Sequence, residues 1–216
     1  MALQRTPQDV LIVTDVQKDF CPGGALAVPE GAQVIEVIHR IAPLFEHIVL
    51  TQDWHPADHS SFASNHPGKQ PYDQVEMSYG RQTLWPDHCV QGSHGAEFHS
   101  ALHLPQAELV LRKGFHKQVD SYSAFFENDH VTSTGLTGYL RERGLARVFF
   151  VGLAYDFCVA YSALDARKQG FEAIVIYDGC RAIDLDGSAL RTHNEFAQAG
   201  VAEIESTELS SGGPTP

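Results

Sequence analysis

Positive charge is scarce in this chain of 216 residues: 15 lysines and arginines stand against 27 aspartates and glutamates, a formal net charge of −12. Phosphate backbones and anionic lipids are held by basic side chains, so nucleic acid and acidic membranes are excluded as partners. Long apolar runs are missing as well. The opening "MALQRTPQDVLIVTDV" contains no stretch of the length that a signal peptide or a membrane span needs. Cysteine is sparse: Cys21, Cys89, Cys158 and Cys180 are scattered, without a CxxC pair or the density of a disulfide scaffold. No internal repeat is visible. A cytoplasmic, reduced protein is the expectation.

What remains is a globular composition, 43% hydrophobic with 18 glycines and 11 prolines, at a length that suits one domain over residues 1–216. Five short apolar runs read as buried strands: "VLIVTDV" (10–16), "HIVLTQD" (47–53), "ELVLRKG" (108–114), "RVFFVGL" (147–153) and "EAIVIYD" (172–178). They are rich in β-branched residues and lack alternation, as parallel strands covered on both faces do. Helical patterns lie between them, with Gly144, Gly170 and Gly200 where C-terminal caps fall. Strand and helix alternate, so the expected fold is a doubly wound α/β protein with a mainly parallel sheet and helices on both faces. Residues 206–216 read as a flexible tail.

One interval breaks the alternation. Residues 53–107, between the second and third strands, show little regular pattern but hold seven of the twelve histidines. Trp54, Phe62, Tyr72, Tyr79, Trp85 and Phe98 give the interval enough apolar mass to order. A long excursion inside a compact domain is usually functional, and this one reads as a working insertion.

In open α/β sheets the ligand crevice lies beyond the carboxyl ends of the strands. Asp15, Asp53, Lys113, the 152–158 turn and Asp178 all fall there. Cys158 alone is an ordinary small buried side chain, but the company at that edge gives it a chemical reading. Asp156 is placed to cap a helix, which puts Cys158 in the first turn, where free N–H groups and the helix dipole favour a thiolate. Lys113 supplies a cation and Asp15 a proton acceptor, which together make a nucleophilic triad without histidine. The small residues of "GLA" just upstream suit an oxyanion hole. Cys21, Cys89 and Cys180 lack such company; Cys180 reads as a structural residue in a "DGCRA" loop.

The stretch "DWHPADHSSF" (53–62) carries a second kind of chemistry. Asp53 and His55 are two apart in extended backbone and point the same way. One carboxylate with imidazoles is a transition-metal donor set, with His88 as the natural third ligand and His59 as a competitor. Three protein ligands would leave positions open for water or substrate.

The segments "DVQKDFCPGGALAVP", "TQDWHPADHSSF", "LWPDHCVQG", "KGFHKQVDSYSAF" and "GLAYDFCV" together closely resemble the nicotinamidases of the isochorismatase-like cysteine hydrolase superfamily. The resemblance runs from about Val10 to Glu205. It implies a triad of Asp15, Lys113 and Cys158. It also implies one divalent ion (zinc first, iron or manganese otherwise) on Asp53, His55 and His88. Phe20 and Trp85 would sandwich a pyridine ring, with Tyr122 a further pocket residue. The Leu153–Ala154 bond matches a non-proline cis peptide in the family, and the N–H groups of Ala154 and Cys158 would bind the oxyanion. Tyr155 stands where threonine is the more usual residue, touching capping and pocket shape. The implied reaction is hydrolysis of nicotinamide to nicotinate and ammonia through a thioester, in NAD salvage, with pyrazinamide as a second substrate. A homo-oligomer is compatible with this reading.

The rival readings are another amidase of the superfamily on ureido, carbamoyl or biuret-like substrates, a vinyl-ether hydrolase, a two-histidine, one-carboxylate oxygenase, and a non-catalytic binding module. Bound metal separates nicotinamidases from the first. Indifference to thiol alkylation marks the oxygenase, and the complete triad argues against the module.

Overall fold

In a computed structural model, which describes residues 3–209, six strands form one parallel sheet. They are β1 (Asp9–Thr14), β2 (His47–Asp53), β5 (Leu109–Lys113), β6 (Arg147–Leu153), β7 (Glu172–Arg181) and β8 (Ala202–Ile204), in the order β5-β2-β1-β6-β7-β8. The doubly wound expectation holds. Residue alternation along β1 explains why its sequence does not alternate: Leu11 and Val13 enter one core, Val10 and Ile12 the other, and all four are buried.

On one face lies α1 (Val34–Ile41), which buries Val34, Ile35, Val37, Ile38 and Ile41, a stripe at helical spacing. The other face carries α2 (Leu136–Glu142), α3 (Ala160–Lys168) and α4 (Ser188–Ala199). Ala160, Ala163 and Ala166 recur every three residues, and their small side chains let α3 lie close on the sheet. No helix among the described residues is long and apolar enough to cross a membrane.

The chain moves outward from β1 through β2 to β5, then returns to β1's other side with β6. The switch point therefore lies between the carboxyl ends of β1 and β6, where a crevice must open. Gly152 makes their approach close: its φ is +111°, and a Cβ there would meet the Thr14 carbonyl oxygen at 2.1 Å. Only glycine fits.

Several expectations need correction. The 53–107 interval contains regular structure after all, an antiparallel hairpin of β3 (Gln74–Met77) and β4 (Gly80–Thr83) outside the main sheet. Its strands are mostly exposed and polar, so no apolar period announces them. β8 is three residues long and was equally silent. β7 runs on to Arg181, which puts Asp178 and Cys180 inside a strand rather than at its end or in a loop. Asp178 there accepts hydrogen bonds from the Ser206 N–H and hydroxyl. The expected tail from 206 is packed at first: Ser206 and Leu209 are buried, and Leu209 bridges to Leu3. Residues 210–216 lie outside the described residues.

Candidate active site

β1 ends at Thr14, and the next residue, Asp15, has a left-handed backbone (φ 46°) and a fully buried side chain. Thr51 of β2 fixes it, accepting from the Asp15 N–H at 3.1 Å and donating to its Oδ1 at 2.6 Å. The second oxygen, Oδ2, makes no hydrogen bond of good geometry but lies 2.9 Å from the Lys113 ammonium. Lys113, the last residue of β5, also reaches Asp53 Oδ1 and the Ser121 carbonyl, each at 2.8 Å. Its fourth neighbour is Cys158 Sγ at 3.4 Å. One oxygen each of Asp15 and Asp53 lies within 4.8 Å of that sulfur and of the other. The three residues expected to act together meet at one buried point.

Cys158 sits in a wide turn over Tyr155–Val159 that runs straight into α3, so it occupies the first turn as expected. The cap differs. Ala154 precedes the turn, while the Asp156 carboxylate accepts from the Ile183 and Asp184 N–H groups and the Ser188 hydroxyl. Asp156 thus ties the 183–188 loop to the nucleophile's turn. The electrostatics differ too. Burial pushes the Cys158 thiol well above its ordinary value, outweighing Lys113. Burial also raises the Asp15 carboxyl against the pull of Lys113. The resting pair is a neutral thiol beside a carboxyl of raised basicity, not the thiolate that the helix start alone predicts. Burial opposes the charge on Lys113, but Asp15 and Asp53 overcome it and hold the ammonium protonated.

Asp53 joins this cluster to a second one. While Oδ1 faces Lys113, Oδ2 lies 3.2 Å from His55 Nε2 and 3.6 Å from His88 Nε2. Burial opposes its charge, yet Lys113 and His55 hold the carboxyl well below the usual range. His55 Nδ1 faces the Gly114 carbonyl at 2.7 Å and His88 Nδ1 the Pro86 carbonyl at 2.8 Å. A carbonyl only accepts, so each ring has a proton on Nδ1, and Nε2 is the nitrogen turned toward Asp53. Anchoring the outer nitrogen in this way orients Nε2 as a metal ligand's would be. Gly114 has to be glycine: a Cβ would lie 2.4 Å from His55 Cε1. The donor atoms of Asp53, His55 and His88 all lie within 4.8 Å of one another and fit a divalent cation. His59 stands apart from this set: its Nδ1 meets the Ser61 hydroxyl at 2.7 Å and its Nε2 the Val119 carbonyl at 3.3 Å.

A narrow cavity between the two clusters is lined by Asp53, His88, Ala154 and Cys158 and walled by Phe20, Trp85 and Tyr122. All the pocket residues expected from the sequence line it. The Leu153–Ala154 peptide is cis. Four further lining residues were missed: Leu26, Asp120, Phe157 and Ile183. Phe157 was the readable one, adjacent to the nucleophile. Asp120 lies outside the helices and strands, and only the fold brings it within reach of His55 and His59. Tyr155 does not line this cavity. Its hydroxyl donates to Glu203 at 2.6 Å, and it lines a roomier hollow of about 430 Å³ beside Tyr177 and His193, whose lining includes no cysteine, serine or lysine.

The model of the isochorismatase domain matches residues 9–208, nearly all that the structure describes. The chain belongs to the isochorismatase family. Within it, the chain is 55% identical over 199 residues to the nicotinamidase of Acinetobacter baylyi, covering 92% of this chain and 93% of that one. Among solved structures, a nicotinamidase and pyrazinamidase of Acinetobacter baumanii superposes with a TM-score of 0.94 at 55% identity, over 94% of this chain and 99% of that one. A pyrazinamidase of Pyrococcus horikoshii in complex with zinc superposes at 0.73 with 34% identity, over 92% and 99%. This isochorismatase-family sheet thus carries its buried thiol at the same switch point that its topology dictates.

Proposed function

We propose that the protein is a nicotinamidase: it hydrolyses nicotinamide to nicotinate and ammonia, and pyrazinamide likewise, in NAD salvage. The relatives named above support the substrate. The observation that carries the chemistry is the Lys113 ammonium, placed at once against Asp15, Asp53 and Cys158 Sγ.

The pyridine ring lies between Phe20 and Trp85 with its carboxamide at Cys158. Asp15 Oδ2 takes the thiol proton as sulfur attacks the carboxamide carbon, so the S–C bond forms without a free thiolate beforehand. The carbonyl oxygen gains negative charge and is met by the N–H groups of Ala154 and Cys158. As the C–N bond breaks, Asp15 returns the proton to nitrogen and ammonia leaves. Asp15 then draws a proton from water, which attacks the thioester and frees nicotinate and the thiol. Lys113 stays charged throughout and balances the carboxylates. Asp53, His55 and His88 would hold a divalent ion, which would supply Lewis-acid character at the ring-nitrogen end of the cavity. Zinc suits this donor set, and the Pyrococcus horikoshii pyrazinamidase was solved in complex with zinc; His59, held by Ser61, is left outside the set.

The four cysteines are free and buried, in keeping with a reducing cytoplasm. Ammonia release from nicotinamide by purified protein, before and after chelation, tests the proposal. Release that needs no metal and no Cys158 would contradict it.

A further inference from the structure

β4 contributes one buried side chain, Gln82, which is 1% exposed on an otherwise mostly exposed hairpin. Its Nε2 lies 2.7 Å from the Thr83 carbonyl, 2.9 Å from Asp120 Oδ2 and 2.8 Å from the Tyr122 hydroxyl. Its Oε1 accepts from Tyr79 and Asn128, each at 3.2 Å. The carbonyl and carboxylate can only accept, so the amide has one orientation here. The Trp85 indole N–H also donates to the Tyr122 oxygen, at 2.9 Å.

Those contacts hold two of three rings that meet nearly at right angles. Trp85 and Phe157 are 4.9 Å apart at 88°, Trp85 and Tyr122 6.1 Å at 79°, and Tyr122 and Phe157 5.7 Å at 79°. All three line the cavity beside Cys158, as does Asp120. Gln82 itself does not. Three mutually perpendicular rings form the corner of a box, the edge-to-face arrangement that ring quadrupoles favour, and the polar contacts fix where Trp85 and Tyr122 stand within it.

We propose that Gln82 is a positioning residue for substrate recognition: through Tyr122 and Asp120 it sets the aromatic corner against which the pyridine ring is bound. The inference rests on the nicotinamidase reading. The corner contacts the ring in ground state and transition state alike, so losing its anchor weakens both equally. Uniform binding lost in this way appears in KM and leaves kcat nearly alone.

The test uses full-length Gln82→Met, which keeps the length of the side chain and removes its hydrogen bonds, together with Tyr122→Phe and the double variant. KM and kcat for nicotinamide are measured at equal metal content. Gln82→Met is expected to raise KM about five- to thirtyfold, the lower part of the range left by an unpaired buried group, with kcat within about threefold. In the Tyr122→Phe background the same substitution should change KM by less than about half that factor, because the partner it acts through is gone. A folded Gln82→Met with wild-type KM, a loss confined to kcat, or KM effects that simply multiply would overturn the proposal. If Gln82→Met does not fold, Gln82→Glu serves: it keeps the acceptor toward Tyr79 and Asn128 and sets a second carboxyl against Asp120, so that at most one of the two donors remains, with a KM rise again expected. Wild-type protein that releases no ammonia would refute the nicotinamidase reading instead. Nicotinate titrated against Trp85 fluorescence, in a Trp54→Phe background, then still reads Gln82: a dissociation constant weakened by the same factor upholds its role, and an unchanged one overturns it.

Discussion

Lys113→Met removes the one cation in the buried cluster while keeping most of the side-chain volume. Wild-type Lys113 is 1% exposed and lies 2.9 Å from Asp15 and 2.8 Å from Asp53. Without it, two carboxylates share a dry site with a thiol. Removing one partner of a buried ion pair costs about 3–5 kcal/mol, because a charge is left uncompensated. Asp15 can escape part of that cost by taking up a proton. Burial already raises its carboxyl, and loss of Lys113 raises it further. A carboxyl whose folded pKa is raised costs stability only where it must ionise. The deficit is therefore smallest below the ordinary carboxyl value of about 3.9 and grows as pH climbs through the raised folded value. Urea unfolding of chelated wild type and variant at about pH 5 and about pH 8 gives the two differences. The variant should be less stable at both, with the larger deficit at the higher pH. Equal stability at both, or a deficit that shrinks with rising pH, would refute the claim that Lys113 neutralises these carboxylates.

Three further outcomes follow from the same geometry. His55→Ala should lose most of the bound metal, whereas Asp15→Asn should retain metal and lose turnover; elemental analysis beside an ammonia assay separates the two clusters. Benzamide keeps the stacking and the scissile amide but offers no ring nitrogen, so kcat/KM should fall by up to about 10⁴ relative to nicotinamide, with pyrazinamide still hydrolysed; equal rates for benzamide would take the metal out of substrate binding. Asp15 works as a base only when ionised, and burial raises its carboxyl, so kcat/KM should decline on acidification with an acid limb above the ordinary value of about 3.9; a limb at or below that value would assign the base elsewhere.

Much of this site could be read from the chain because its residues sit at strand ends. Asp15, Asp53 and Lys113 each close an apolar run, and a parallel sheet must bring such ends to one edge. Cys158 was readable as the start of the helix after β6. What the sequence hid was of three kinds. The β3–β4 hairpin is polar and exposed, so it has no hydrophobic period to detect. Gln82 and Asp120 gain their meaning only from partners distant in the chain: Asp120 and Tyr122, 38 and 40 residues on, for one, and His55 and His59, more than sixty residues back, for the other. Asp156 looked like a cap because a local N–H is the nearest partner an aspartate can have, while the fold offers it three donors from the 183–188 loop. The protonation of Cys158 was misjudged for a related reason. A helix start and a lysine favour the thiolate, but burial outweighs both, and burial depth is a property of the assembled site.

The claim on which the mechanism turns is that carbon bonds to the sulfur of Cys158. Acid quenching of wild-type protein during turnover of nicotinamide, followed by peptide mass spectrometry, reads that bond directly. A nicotinoyl mass on the Cys158 peptide, absent from Cys158→Ala along with all ammonia release, is the predicted result. Ammonia released at the wild-type rate by a folded Cys158→Ala, or an acyl mass mapped to Cys21, Cys89 or Cys180, would contradict it.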